Sequence, residues 1–555
     1  MSTERIGALV PLTLSVVIAS VINTNVYGSD VPPSSASKPS MPEIEEIEIN
    51  THPIFDESNP DENNWVFRLV NRLHINTRTS TIKKELTFKE GEVPDQHLLD
   101  ESARRLRSKR FIGDAHVKLV EQNGEQSTPP KVQVDVKEVW TLVPKLTYSR
   151  SGGNTHYGYG LHDSNFLGLG KTVKVEHKST EERTSDEIVY RDPNVGNQNQ
   201  LSLGYSDNSD GKAQLFSFSK PFASIRTPWS SGITIQDFDR EDTLFNAGDE
   251  AARFIHNSNA YSVFYGFRFP QSTDQRTHRL LFGYDDNYDE FFNLPTITGP
   301  EPFVLPYDRD YQTLWAEYQY TNNHFIEANN IQQINRVEDI NLGAELRIRL
   351  GTVNANASAL DQTTLVQVDY SRAYSLSAKQ LLIGEFTSSG FYGSGATTQS
   401  VNQLSLSYHW QNFERGQFYA HVQEAYGKNL FIDTPLELGG DTGLRGYPAR
   451  FQAGDKLRLF TVEQRFFGQK EWLSLFHMGA AVFYDEGRVW GNSAVTQTFQ
   501  QTLRSVGVGL RISGTRTGGK DDNVHNVTHI DIAYPLDGGP EIDKYQFSVQ
   551  IKSSF

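Results

Sequence analysis

The chain has 555 residues, of which 37% are hydrophobic and 12% aromatic, a formal net charge of −16 and no cysteine. The absence of cysteine excludes disulfides, thiolate metal sites, iron–sulfur clusters and thiol nucleophiles, and the acidic balance argues against general nucleic-acid binding, which relies on concentrated positive charge. Mean hydropathy is −0.52, and beyond the N-terminus no run of about twenty apolar residues occurs, so helical membrane spans are excluded there but a membrane barrel, with only alternate residues facing lipid, is not.

The first element in chain order reads as a targeting segment. Ile6 to Ile22 is mostly apolar, is interrupted by Pro11 and is short for a spanning helix. Small residues at Val26 and Gly28 favour cleavage before Ser29. Residues 1–28 are therefore read as a signal peptide, and residues 29–42, rich in Ser and Pro, as a flexible spacer.

Residues 43–140 read as one small α/β domain. Ile44, Ile47 and Ile49 suggest a strand, and Val66 to Ile75 a second, with an acidic loop at 52–64 between them. A short helix is expected over Thr81–Leu86, capped by Thr79 or Ser80. Asp95 precedes a longer one, with Leu98, Leu99, Ala103, Leu106 and Phe111 on one face. Arg104, Arg105 and Arg107 read as its solvated face. Two alternating strands, Ala115–Glu121 and Val132–Lys137, close the domain. Edge strands in such a unit offer an extended partner a place to pair. No catalytic constellation is visible in it.

Residues 142–555 hold no convincing helix and many period-two segments. Leu404, Leu406, Tyr408 and Trp410 share one parity, as do Val506, Val508, Leu510 and Ile512. Ala344, Leu346, Ile348 and Leu350 oppose Glu345, Arg347 and Arg349. Apolar residues on one face and charges on the other fit a wall between lipid and a watery lumen. Only a closed sheet satisfies its backbone in lipid. The expected fold is mainly β: a 16-stranded antiparallel transmembrane β-barrel preceded by the small α/β domain. Sixteen strands leave roughly twenty-six residues for each strand and its loop, and fourteen or eighteen also suit the periodicity. The chain ends in YQFSVQIKSSF, where Tyr545, Phe547, Val549, Ile551 and Phe555 share a parity that only Ser553 breaks. These eleven residues read as the strand that closes the cylinder.

Three motifs go further. Leu444-Arg445-Gly446-Tyr447 resembles the VRGF/VRGY signature of the BamA/TamA-type outer-membrane assembly and two-partner-secretion superfamily, whose barrel is often labelled bacterial surface antigen. Phe483-Tyr484-Asp485-Glu486-Gly487 is similar to its F-x-D-x-G strand motif, and the terminal Phe555 to the aromatic end of its barrel-assembly signal. Asn165-Phe166-Leu167-Gly168-Leu169-Gly170 and the HIDIAYPLDG stretch also look like family segments, and residues 43–140 resemble one polypeptide-transport-associated (POTRA) domain. The resemblance implies that Arg445 sits at the tip of an extracellular loop folded back into the lumen. Its implied partners are Glu463 and Asp485. Parity agrees, since Thr461, Glu463, Arg465, Phe483 and Asp485 fall on inward positions while Phe460, Val462, Val482 and Tyr484 fall outward. The alternative for Arg445 is an ordinary ion pair lining the lumen. Two departures from the family pattern are Leu444 in place of Val and a single N-terminal domain instead of three or five.

Other motifs fail. Asn165 to Thr172 ends like a P-loop but has Asn165 where glycine is required. No H-E-x-x-H or G-x-S-x-G occurs. The acidic run Asp285 to Glu290 reads as a solvated loop. No catalytic residue, metal or cofactor is expected, and neither nucleic acid nor nucleotide is an expected partner. The expected partners are outer-membrane lipid, unfolded or extended client proteins, and a periplasmic or inner-membrane accessory protein. The resulting expectation is a non-enzymatic outer-membrane insertion, assembly or translocation factor, with the N-terminal domain in the periplasm. A secretion pore dedicated to one passenger and a passive porin or structural surface protein are the competing readings.

Overall fold

The computed structural model describes residues 42–120, 130–151, 153–196, 198–294, 304–356, 360–393, 397–516, 527–539 and 542–552. The expected signal peptide, almost all of the spacer, and Phe555 lie outside the described residues. The N-terminal unit runs β1 (Glu46–His52), α1 (Trp65–Leu73), α2 (Thr79–Glu85), α3 (Gln96–Ser108), β2 (Ile112–Val120) and β3 (Lys131–Glu138). β3 is central, parallel to β1 and antiparallel to β2. Its alternation drives Val132, Val134 and Val136 into a core with Ile82, Leu99 and Leu106 from the helices.

The stretch read as a second strand, Val66 to Ile75, is instead α1. Asn64 accepts a hydrogen bond from the Phe67 N–H at 2.9 Å, which starts the helix. Phe67 and Val70 then pack on Ile54, Phe55 and Trp140. Capping and burial outweigh the strand preference of the valines. α2 begins two residues earlier than expected, at Thr79, with Arg78 at its N-cap and no side-chain cap. Asp95 does cap α3, accepting from the His97 N–H at 3.0 Å.

Among the described residues, twenty strands, from Leu142–Ser151 to Gln546–Lys552, pair antiparallel in chain order, and the last meets the first at Val549 opposite Arg150, closing a barrel. This corrects the expected sixteen. The miscount has a physical source in the length of the connections: six strands fit between Leu142 and Lys220 because their turns are tight, such as Ser209–Asp210 between Asn208 and Gly211. Elsewhere strands reach 20 residues, as in Asp249–Arg268. The acidic run Asp285 to Glu290 is not a loop but part of the strand Arg276–Asn293.

Alternation holds around the wall. Val482 is 54% exposed on the outside while its neighbours Ala481 and Phe483 are buried inside. Leu161, Val175, Ile188, Leu314, Leu350, Val508 and Ile532 are likewise outward and exposed. Such a continuous apolar exterior is unlike the surface of a water-soluble barrel.

The N-terminal unit docks on the barrel end where the first strand begins. Glu101 of α3 accepts from the Ser224 hydroxyl at 3.0 Å and the Ile225 N–H at 2.9 Å, in the turn after Lys220. Arg105 donates to the carbonyl of Ala223 in the same turn. Arg104 stacks over Phe325 and Arg107 grips Asp339, so the three arginines form a contact face and not the solvated one expected. The Asn165–Gly170 stretch makes the adjoining turn. Asn165 accepts from the Gly170 N–H at 2.7 Å and donates to the Thr77 hydroxyl at 2.9 Å, joining barrel to N-terminal unit.

Candidate functional site

The barrel end opposite the N-terminal unit carries a long loop between the strands Gly416–Lys428 and Lys456–Trp472. It folds inward. Its tip residue Arg445 is 7% exposed and reaches two adjacent strands. The guanidinium donates Nε and Nη2 to the two carboxylate oxygens of Asp485, both at 2.7 Å, and Nη1 to Glu463 at 2.6 Å. Paired, charge-assisted bonds of this kind are the strong ones, and they need the fork geometry that lysine lacks. The Arg445 guanidinium also lies 3.5 Å from the centre of the Phe483 ring.

Why the side chains converge follows from strand parity. Thr461, Glu463 and Arg465 alternate inward along Lys456–Trp472, as do Phe483 and Asp485 along Phe476–Trp490. Register places Glu463 opposite Phe483 and Thr461 opposite Asp485. Thr461 donates its hydroxyl to Asp485 at 2.9 Å and Arg465 donates to Glu463 at 2.8 Å. Farther round the wall, Arg511 pairs with Asp531 at 2.5 Å and lies 4.0 Å from Glu463. Three arginines and three carboxylates thus share one buried patch, which is costly for any member whose partner is removed.

The rest of the motif seats the loop. Leu444 and Tyr447 are fully buried among Leu438, Phe451, Leu457, Leu459, Val489 and Leu503. The Tyr447 hydroxyl donates to the Arg504 carbonyl at 2.7 Å and sits 2.9 Å from that of Asp537. Gly446 turns the chain with φ +96°, a conformation side-chain-bearing residues rarely adopt. Gly487 leaves the wall flat: a Cβ there would lie 2.6 Å from Leu438 of the loop.

Sequence reasoning missed two further anchors of this loop. Asp433, near its start, receives a fork from Arg309 at 2.8 and 3.0 Å. Arg450, past the tip, pairs with Glu181 at 3.2 Å and with Glu182. Both are long-range pairs between residues that no local motif marks. The loop is therefore held at three points around the barrel mouth.

The final strand carries Phe547 outward and 46% exposed, with Gln546 and Gln550 inward and buried. Val549 and Ile551 share the Phe547 parity and are half-buried. Tyr545 precedes the strand and packs on Tyr534, ring centres 5.5 Å apart.

The other mouth is crossed by a hairpin the sequence did not announce, Phe325–Asn329 paired with Val337–Asn341. Its tip is braced by Glu338, whose carboxylate accepts from the N–H groups of Ile331, Gln332 and Gln333 at 3.0–3.1 Å. Ile334 packs on Phe467 and Ala481 of the far wall. Gln417 donates to the Asn330 carbonyl and Asn335 to the Gly468 carbonyl, each at 2.8 Å. Asp339 receives the Arg107 fork from α3 at 2.6 and 3.0 Å. Within the N-terminal unit, Glu85 is buried, and burial would raise its carboxyl. Lys109 and Arg105, at 3.2 and 3.1 Å, outweigh burial and hold it below the ordinary value. Among the described residues no group of three or more His, Asp or Glu side chains is placed to hold a metal ion.

Together these features define an antiparallel barrel with one of its own loops clamped inside it and a small α/β unit docked on the other end. No protein family matches the sequence, and no curated protein does. Among solved structures, CdiB from Acinetobacter baumannii is similar at a TM-score of 0.45 and 11% identity, over 92% of this chain and 74% of that one. CdiB from Escherichia coli gives 0.46 and 13%, over 92% and 76%. BamA from Haemophilus ducreyi lacking POTRA domains 1–3 gives 0.38 and 13%, over 91% and 84%.

Proposed function

We propose that this protein is a non-enzymatic outer-membrane factor that inserts, assembles or translocates extended polypeptides. In this reading the apolar wall lies in lipid, and the N-terminal unit is a POTRA-like domain in the periplasm, exported behind the signal peptide at residues 1–28. The observation that carries it is the Arg445 clamp on Glu463 and Asp485, which fixes a loop within the barrel where a client would have to pass or pair. β1 and β2, at the two edges of the small sheet, offer main-chain pairing to an extended client. Client folding and burial would supply the free energy, with no call on a nucleotide. Loop and hairpin at the two mouths weigh against a passive porin.

Depletion followed by quantitative membrane and secreted proteomics tests the reading. A joint fall in many barrel proteins supports assembly, and loss of a single exported protein supports a dedicated pore. Solute uptake that tracks abundance, with every client unchanged, would refute both.

A further inference from the structure

α1 has two apolar faces. Phe67 and Val70 turn into the N-terminal unit, where Phe67 stacks on Phe55 at 3.9 Å. Trp65, Val66, Leu69 and Leu73 turn outward, and they are 71%, 42%, 43% and 62% exposed. At 100° per residue these four occupy roughly a third of the helix circumference. A helix of a water-soluble domain normally gives that sector to polar residues. Ile75, just past the helix, extends the patch and is also exposed. Arg68 and Arg72 border it on one side, and among the described residues neither forms an ion pair; the Arg68 guanidinium donates to Asn63.

The place of α1 in the molecule decides what covers this face. Arg516 ties the segment before α1 to the barrel rim, donating to Glu62 and to the Ser474 carbonyl, each at 2.9 Å. The Trp140 N–H, beneath α1, donates to the Arg516 carbonyl at 3.2 Å. The rim at this point is itself apolar and outward: Trp472, Leu473 and Leu475 are exposed, and so are Leu142 and Val143 at the start of the first strand. The helix is thus pinned to the stretch of rim where the apolar exterior ends.

We infer that α1 is an interfacial helix: its Trp65–Leu69–Leu73 face lies in the headgroup region of the bilayer beside the barrel, with Arg68 and Arg72 on lipid phosphates. An amphipathic helix with an aromatic and leucine face bordered by arginines suits that layer, about 5–10 Å into the headgroup and acyl boundary. The inference rests on the proposed lipid contact of the barrel wall. It adds that the N-terminal unit is held at a fixed tilt by lipid as well as by the rim.

The cysteine-free chain permits a clean test. Full-length protein carrying a single NBD-labelled cysteine is reconstituted into phosphatidylcholine–phosphatidylglycerol vesicles, with or without a mixture of lipids spin-labelled near the headgroup and at mid-chain. The label sites are Leu69→Cys, Leu73→Cys, Leu314→Cys on the wall and Glu48→Cys on exposed β1. The expected result is a loss of emission at 69 and 73 close to the loss at 314 and well above that at 48. Quenching at 314 with none at 69 or 73 overturns the interfacial helix and leaves the lipid-facing wall intact. The same holds for a blue-shifted, unquenched label at 69, which would mean that protein covers the face. Absence of quenching at 314 as well refutes the wall and the helix together.

Discussion

Replacing Arg445 with Ala is the sharpest perturbation of the loop. It deletes three short charge-assisted hydrogen bonds and a ring contact. The two carboxylates are not left equal. Glu463 keeps Arg465 at 2.8 Å, while Asp485, fully buried, keeps the Thr461 hydroxyl at 2.9 Å. Removing one partner of a buried pair costs about 3–5 kcal/mol, and the retained Arg465 places this case near about 3 kcal/mol. That lowers the seated-to-released ratio of the loop by roughly a hundredfold. A Leu444→Cys reporter, buried in the seated loop, reads this ratio through its labelling rate with a membrane-impermeant maleimide. The rate should rise by about two orders of magnitude in the Arg445→Ala background, while the heat-modifiable mobility of the folded barrel is unchanged. Adding Asp485→Asn removes the orphaned charge and should return part of the difference. Labelling that rises less than about tenfold would show that the Asp433 and Arg450 anchors hold the loop without the clamp.

Gly487→Val should act in the same direction through sterics, since a Cβ there meets Leu438; a loss of about 1–3 kcal/mol in loop seating is expected by the same reporter. Leu314→Arg, on a wall position 65% exposed, should destabilise the protein in vesicles by about 2–4 kcal/mol if that position sits at mid-bilayer, read by denaturant titration against Leu314→Ala. Glu85 supplies a pH dependence. Its folded carboxyl is held below the ordinary 4.5, so its pairing with Arg105 and Lys109 stabilises fully above that value and is lost as pH falls through the folded one. Protease resistance of the N-terminal unit in the full-length protein should drop in that acid window, and Glu85→Gln should flatten the curve.

The pairing of Arg445 with Glu463 and Asp485 is what the resemblance of Leu444-Arg445-Gly446-Tyr447 and Phe483–Gly487 to family motifs implies, and strand parity agrees with it. Glu463 shares its parity with Thr461 and Arg465 on one strand, and Asp485 shares its parity with Phe483 on the next, so each strand turns its own set inward together. The strand number was not legible, because alternation says which way a side chain points and nothing about where a tight turn ends one strand and starts the next. α1 was misread for a related reason: Val66, Phe67, Leu69 and Val70 serve a strand or a two-faced helix, and Asn64 as cap decides between them. Arg105 and Arg107 read as solvated because Ala223 and Asp339, their partners, lie 118 and 232 residues away. The same distance in sequence hid Arg309 with Asp433, and Arg450 with Glu181.

The Arg107–Asp339 fork joins two bodies that otherwise belong to different parts of the chain, a helix of the N-terminal unit and a strap across the barrel mouth. Any pull that lifts α3 off the rim must first break that grip or drag the strap with it. Thermodynamic reciprocity then requires that whatever seats the strap more firmly resists the pull by an equal free energy. Force on the outer unit and obstruction of the mouth are thereby two readings of one equilibrium.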